Sequence, residues 1–417
     1  MARYLSWHRR IPYLTSYLSN FEVIVLDPSC DLLVIDMFIG TSSTLVPNNI
    51  PSAALGSTQA DHLFLKLELS PSDAYPVPRV LRAGRTYNFD FQFCIPQQTL
   101  PRASKHFMTD DPVVQHHLQL PPSLGRKRGP TPSHSAYDDL APAMLSIYYD
   151  IVAELSDDDG LVSGVSANIR VVPLSNMEPP IYAEGNDDYR LKEERTTRTG
   201  TLGRKLGVLA MEAEPPEAIP YMELPRRAGT DYTTMVDVML RFYPVSETAK
   251  PPRIGTSKTR IWVSNFYAFS IRTRIPTAHD AMLDSRQGVH VSKVKLPTVN
   301  YDDLSWQRVP YVPLCSSQPE TTGRGKRHDS IASTFSLGSR RDAASAEPIH
   351  SYIARLEIPI VLPDHKVFVP TFHSCLVSRT YTLQFLLEVA GSSSMELRVP
   401  VQIYHNPAEL PGQDPAG

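Results

Sequence analysis

Between Tyr381 and Val389 the apolar side chains recur on every second residue: Tyr381, Leu383, Phe385, Leu387 and Val389 fall in one register, with Thr382, Gln384 and Glu388 in the other. A period of two is the repeat of an extended strand that buries one face, and a helix cannot gather such positions on one side. The same pattern runs through Tyr87, Phe89, Phe91, Phe93 and Ile95, starting at Thr86 and stopping at Pro96. It returns in Leu63, Leu65, Leu67 and Leu69, in Ile147, Tyr149, Ile151, Ala153 and Leu155, and in Val236, Val238, Leu240 and Phe242. Later runs are Thr259–Thr273, then Ala354, Leu356, Ile358 and Ile360, and finally Leu397, Val399, Val401 and Ile403. These runs predict half-buried antiparallel sheets and an all-β fold with little helix. Proline agrees: 38 of 417 residues, about 9% against a typical ~5%, suit strand ends, edges and loops and oppose long helices.

A chain of 417 residues exceeds the usual size of one core, so two β-sandwich domains are expected, over 31–173 and 201–405. Residues 174–200, rich in Pro, Asp, Glu, Arg and Thr without apolar periodicity, are the expected linker. Residues 316–348 are dominated by Ser, Gly, Arg and Ala, too little apolar surface to offset ordering, and are expected to be a disordered insertion. An atypical segment over 1–30 and a tail over 406–417 complete the division. The formal charge of -3, from 41 basic and 44 acidic residues, provides no global field for nucleic acid. Four scattered cysteines, and no apolar leader behind Met1–Arg10, predict a cytoplasmic, thiol-reduced protein. The longest apolar run, Leu32–Ile39, carries Asp36 and falls short of the ~20 residues that cross a bilayer, so any membrane association is expected to be peripheral.

Catalysis finds no support. There is no nucleophile elbow, phosphate loop, dinucleotide fingerprint or zinc-protease motif, and Gly200–Gly207 fits no glycine-rich loop by its spacing. His116, His117, His373 and Cys375 are residue types that ligate metals, but no second ligand pair stands at a useful sequence spacing, so neither metal nor cofactor is expected. Cys94 and Cys375, flanked by apolar strand residues, are expected to be inert packing thiols.

Three segments in order resemble one family. Arg82-Ala-Gly-Arg-Thr-Tyr-Asn-Phe-Asp-Phe-Gln-Phe-Cys-Ile-Pro96, followed by Leu100-Pro101, is similar to an aromatic-rich strand of the arrestin N-domain. Leu120-Pro-Pro-Ser-Leu-Gly125 with Ile147–Ala153 resembles the loop and strand that close that domain's sheet, and Pro370-Thr-Phe-His-Ser-Cys375 resembles a late hairpin of the arrestin C-domain. The loop wording is most similar to fungal arrestin-related adaptors. The resemblance spans roughly 31–405 and implies two arrestin-type, immunoglobulin-like sandwiches in tandem, acting as a non-enzymatic adaptor. Arrestin N-domains usually carry a first strand and a Tyr-x-x-Gly-Asp-type turn, which residues 1–30 lack. Either Phe21–Leu26 supplies that strand or an edge is missing and a neighbour is left unpaired.

Glu178-Pro-Pro-Ile-Tyr182 contains Pro-Pro-x-Tyr: two prolines pre-set a polyproline II ribbon for an aromatic groove, and the tyrosine fills the adjoining pocket of a WW domain. The plainer reading is that Pro179 and Pro180 stiffen the linker. For arrestin-related adaptors such motifs recruit HECT-type ubiquitin ligases, and the resemblance gives that role to Pro179, Pro180 and Tyr182, with cytoplasmic parts of membrane transporters or receptors as cargo. The alternative is a retromer-like or pH-signalling scaffold that binds cargo without a ligase. Ser330, Ser333, Ser336 and Ser339, near Arg327, Arg340 and Arg341, are candidate phosphorylation sites at which a phosphate would reverse the local charge.

Overall fold

The computed structural model describes residues 4–8, 16–24, 30–31, 33–47, 57–69, 80–81, 86–99, 111–126, 138–157, 160–175, 187–199, 203–221, 233–310 and 350–405. The N-terminal half contains β1 (Tyr4–His8), β2 (Ser16–Ile24), β3 (Cys30–Asp31), β4 (Leu33–Pro47), β5 (Ser57–Leu69), β6 (Val80–Leu81), β7 (Thr86–Cys94), the helix α1 (Asp111–Leu118), β8 (Leu145–Asp157) and β9 (Gly160–Ile169). The C-terminal half contains β10 (Lys192–Arg198), β11 (Lys205–Ala213), β12 (Ile219–Pro220), β13 (Thr233–Pro244), β14 (Ile254–Ala268), the short helix α2 (Ala278–Leu283), β15 (Gln287–Lys295), β16 (Val299–Asn300), β17 (Gln307–Pro310), β18 (His350–Val361), β19 (Phe372–His373), β20 (Val377–Val389), β21 (Met395–Val401) and β22 (Ile403–Tyr404). The fold is all-β. Every ladder between described strands is antiparallel except β12–β22.

Strands of the N-terminal half form the sheets β1-β2-β7 and β5-β4-β8-β9, with β3 and β6 as a separate pair. Those of the C-terminal half form β10-β11-β13-β18-β17 and β15-β14-β20-β19, the latter joined by β16 and β21. These two large sheets of the second half bury facing apolar rows in one cluster: Leu209, Met211, Val238, Leu240, Phe242 and Leu356 from one, Ile261, Val263, Leu383, Phe385, Leu397 and Val399 from the other. The alternation of β13, β18 and β21 thus lies where the period of two places it.

Several expectations are corrected by the structure. Residues 381–389 are not half-buried throughout. In β20 both registers are covered from Val377 to Phe385, and open alternation returns only near Glu388. Polar Gln384 looked like a solvent position, but it accepts a hydrogen bond from Trp262 Nε1 at 3.0 Å and donates to Glu396 at 2.7 Å, so neighbouring strands roof that face. The strand expected over 259–273 ends at Ala268, and Ile271–Thr273 lie beyond it. Cys94 is exposed, not packed, whereas Cys375 is buried. At the N-terminus no edge is missing at β2, which supplies the strand and pairs with β1 on one side and β7 on the other.

The leucine run of β5 shows how a single extra residue defeats periodicity. Leu63 is 52% exposed while Leu65 is buried, although both share one register. Opposite them, Thr41 pairs with Leu63 and Gly40 with Leu65, leaving Phe64 as a bulge. Phe64 therefore turns inward beside Leu65 and meets Tyr149 edge-on, ring centroids 5.5 Å apart. Gly40 makes room for it: a Cβ there would lie 2.5 Å from the Phe64 ring.

Candidate functional site at the junction of the two halves

Two clusters of polar side chains cross from one half to the other. The first is built on Asp138–Ala141. Asp138 Oδ1 accepts from Leu140 N at 2.8 Å and Asp139 Oδ1 from Ala141 N at 3.1 Å, while Asp139 Oδ2 accepts from Gly125 N at 2.6 Å. These bonds hold Leu140 at φ 61°, the left-handed region that a bulky side chain rarely adopts. The strained loop presents two carbonyls to the C-terminal half. Leu140 O accepts from Asn265 Nδ2 at 3.2 Å, and Asp139 O accepts from Arg379 Nη1 at 2.6 Å.

Arg379 is fully buried, and its other two contacts, from Nε at 2.8 Å and Nη2 at 2.6 Å, both reach Asn265 Oδ1. Asn265 and Arg379 face each other across the β14–β20 ladder, so sheet register sets this geometry. Alongside, Val367 N donates to Asp138 O at 2.9 Å and the Lys366 ammonium pairs with the Asp138 carboxylate. That ammonium, first by its hydrogen bond, holds the Asp138 carboxyl below its ordinary range. Thr44 Oγ1 adds a buried bond to Ala268 O at 3.0 Å.

The second cluster lies between α1, β19 and the segment after β14. The His116 and His373 rings meet edge-on with centroids 5.4 Å apart, and Cys375 Sγ lies 3.8 Å from His117 Nδ1. Arg272 reaches the same place, donating from Nη1 to Ser378 Oγ and from Nη2 to Leu376 O, each at 2.8 Å. Burial lowers its pKa to about 9, so the guanidinium still carries its charge at neutral pH. Burial likewise pushes the Cys375 thiol up to about 11, which keeps it protonated and a poor nucleophile. Folding brings His116, His117, His373 and Cys375 together, although no sequence spacing connects the two pairs. Their geometry is still not that of a metal centre: among the described residues no group of three or more His, Cys, Asp or Glu side chains is arranged to hold a metal ion.

The Pro-Pro-x-Tyr segment falls between fixed points. Upstream, Ser175 N donates to His405 O at 2.9 Å and His405 N to Ser175 Oγ at 2.7 Å. Downstream, Asp188 Oδ2 accepts from Ala278 N at 2.8 Å, and Arg190 and Arg398 exchange backbone bonds at 2.9 and 2.8 Å. Pro179, Pro180 and Tyr182 themselves lie outside the described residues, as do Ser330, Ser333, Ser336, Ser339 and the insertion expected over 316–348. Both chain ends flanking the motif are thus tied to the C-terminal half.

No known family model matches the chain, and no curated protein matches it. Among the described residues no helix is long and apolar enough to cross a membrane. The junction was missed by sequence reasoning, yet a signal for part of it exists. Asn265 continues the inward register of Ile261 and Val263, and Arg379 precedes Tyr381 and Leu383 in theirs. Polar residues on a core-facing register need partners, and here they find each other.

Proposed function

We propose that the chain is a non-enzymatic, arrestin-like adaptor of two tandem arrestin-type sandwiches, which links a WW-domain HECT ubiquitin ligase to cytoplasmic parts of membrane transporters or receptors. The observation that carries this reading is the placement of Pro179-Pro180-Ile181-Tyr182 between two anchored points, Ser175 and Asp188. A ligase held there stays close to cargo bound on either half, and the gain is one of effective concentration, with no chemistry required of the chain itself. The all-β architecture and the ordered arrestin-like segments support the scaffold part of the proposal. A scaffold does not determine its ligand, so the ligase contact has to be tested directly.

The test is binding of isolated WW domains to the full chain and to a peptide spanning 176–186. Binding of about micromolar Kd, near -8 kcal/mol, is expected. Tyr182→Ala should remove it by emptying the tyrosine pocket, while Ile181→Ala, at the variable position, should leave it nearly unchanged. Absence of binding by both chain and peptide would reject ligase recruitment through this motif.

A further inference from the structure

The cluster between α1 and β19 has an electrostatic composition that its burial makes costly. Arg272 and His373 are each only 6% exposed, and Arg272 Nε and His373 Nδ1 have no hydrogen-bond partner. Among the described residues, the charged or titratable groups acting on His373 are His116 and His117 from α1 and Arg272 from the segment after β14, none of them a carboxylate. Cys375, in the turn after β19, stays a neutral thiol. On the strand side β20 pairs Ser378 with His373 and Arg379 with Phe372, which adds a further guanidinium and no acid. Neutral histidines are tolerated in such a place. A protonated His373 meets no anion among the described residues.

We propose that the contact between α1 and β19 is an acid-operated release, in which protonation of His373 beside Arg272, His116 and His117 frees α1 from the C-terminal half while the Asp138 contact stays closed. The sign follows from linkage. In the closed contact, burial first and then His116, Arg272 and His117 hold the His373 pKa down to about 3. Once α1 lifts and water enters, the ring regains an ordinary value of ~6.5. The closed form is therefore fully favoured above ~6.5 and loses ground as pH falls from there toward 3, the open-to-closed ratio rising about tenfold per pH unit for one proton. Lys366–Asp138 behaves oppositely in this range, because a carboxyl held below its ordinary value remains ionised through pH 5.5. The release is thus local, and the halves stay joined.

Hydrogen exchange of the full-length chain tests this, read as protection factors corrected for the intrinsic rate at pH 7.5 and pH 5.5. Peptides covering 111–118 and 372–378 should lose about tenfold in protection at pH 5.5, while those from β13 and β18 should not change. His373→Asn should abolish the acid-induced loss. If that variant fails to protect β13 and β18 at pH 7.5, His373→Gln, equally unable to gain a proton, decides instead. Equal protection at both pH values in the parent chain would overturn the proposal. So would an undiminished acid-induced loss in a folded His373→Asn or, failing that, in His373→Gln.

Discussion

Two of the contacts between the halves each bury an arginine, and they treat it differently. Arg379 directs three donors at Asn265 Oδ1 and Asp139 O, its amide partner is fixed by strand register, and a Lys366–Asp138 ion pair closes the rim. Arg272 keeps an unpartnered Nε and shares its surroundings with three histidines. Neither guanidinium bonds to a carboxylate, so charge pairing is not what separates them. The difference lies in hydrogen-bond satisfaction: every nitrogen of Arg379 has a partner and Arg272 Nε has none, and a buried polar group left without a partner is a weak point. One contact is built as a latch and the other as a release.

The largest expected effect comes from breaking the latch. Arg379→Met should leave Asn265 Oδ1 buried without its arginine donor, at about 1–3 kcal/mol, and take the arginine from the half-buried Asp139 O as well. It should also release Asp139 O from the C-terminal half, so chemical denaturation should show the loss together with faster exchange across 138–141. Removing the rim charge should do far less. Lys366 and Asp138 are 24% and 54% exposed at the side chain, and such pairs contribute about 0.2–1 kcal/mol. Lys366→Met should therefore cost no more than that, with the difference fading at high salt. Its pH dependence should appear only in acid: the contribution is complete above the ordinary carboxyl pKa of ~3.9 and is lost as pH falls through the lower folded value. A large effect of Lys366→Met at neutral pH would mean that the ion pair, not Arg379, forms the latch.

Strand positions were legible in the sequence wherever one side chain in two was apolar and the register ran unbroken. Val236, Val238, Leu240 and Phe242 are all fully buried, as their alternation predicts. Leu63 was not legible, because the Phe64 bulge reverses the inward register within the run and nothing in a leucine repeat marks where an extra residue is absorbed. The second face of β20 was hidden for another reason: burial of Thr382 and Gln384 depends on what adjacent strands place over them, a tertiary fact that local polarity misreports. The release contact lies furthest from sequence reach, since Cys375 and His117 meet across 258 positions and no spacing rule connects them. Asn265 and Arg379 are the opposite case, two polar residues on core-facing registers whose pairing one ladder explains.

Thermal unfolding of Arg379→Met and Arg272→Met beside the parent chain at neutral pH tests the distinction between latch and release most directly. Losing Arg272 strands little, because Leu376 O keeps its bond from Ala268 N at 2.9 Å and only the Ser378 hydroxyl loses a partner, while an incompletely hydrogen-bonded buried charge is removed. Arg379→Met should show a clear fall in Tm, on a scale of about 2–4 °C per kcal/mol lost, and Arg272→Met an unchanged or raised Tm. Equal losses in the two variants, or a larger loss for Arg272→Met, would contradict that distinction.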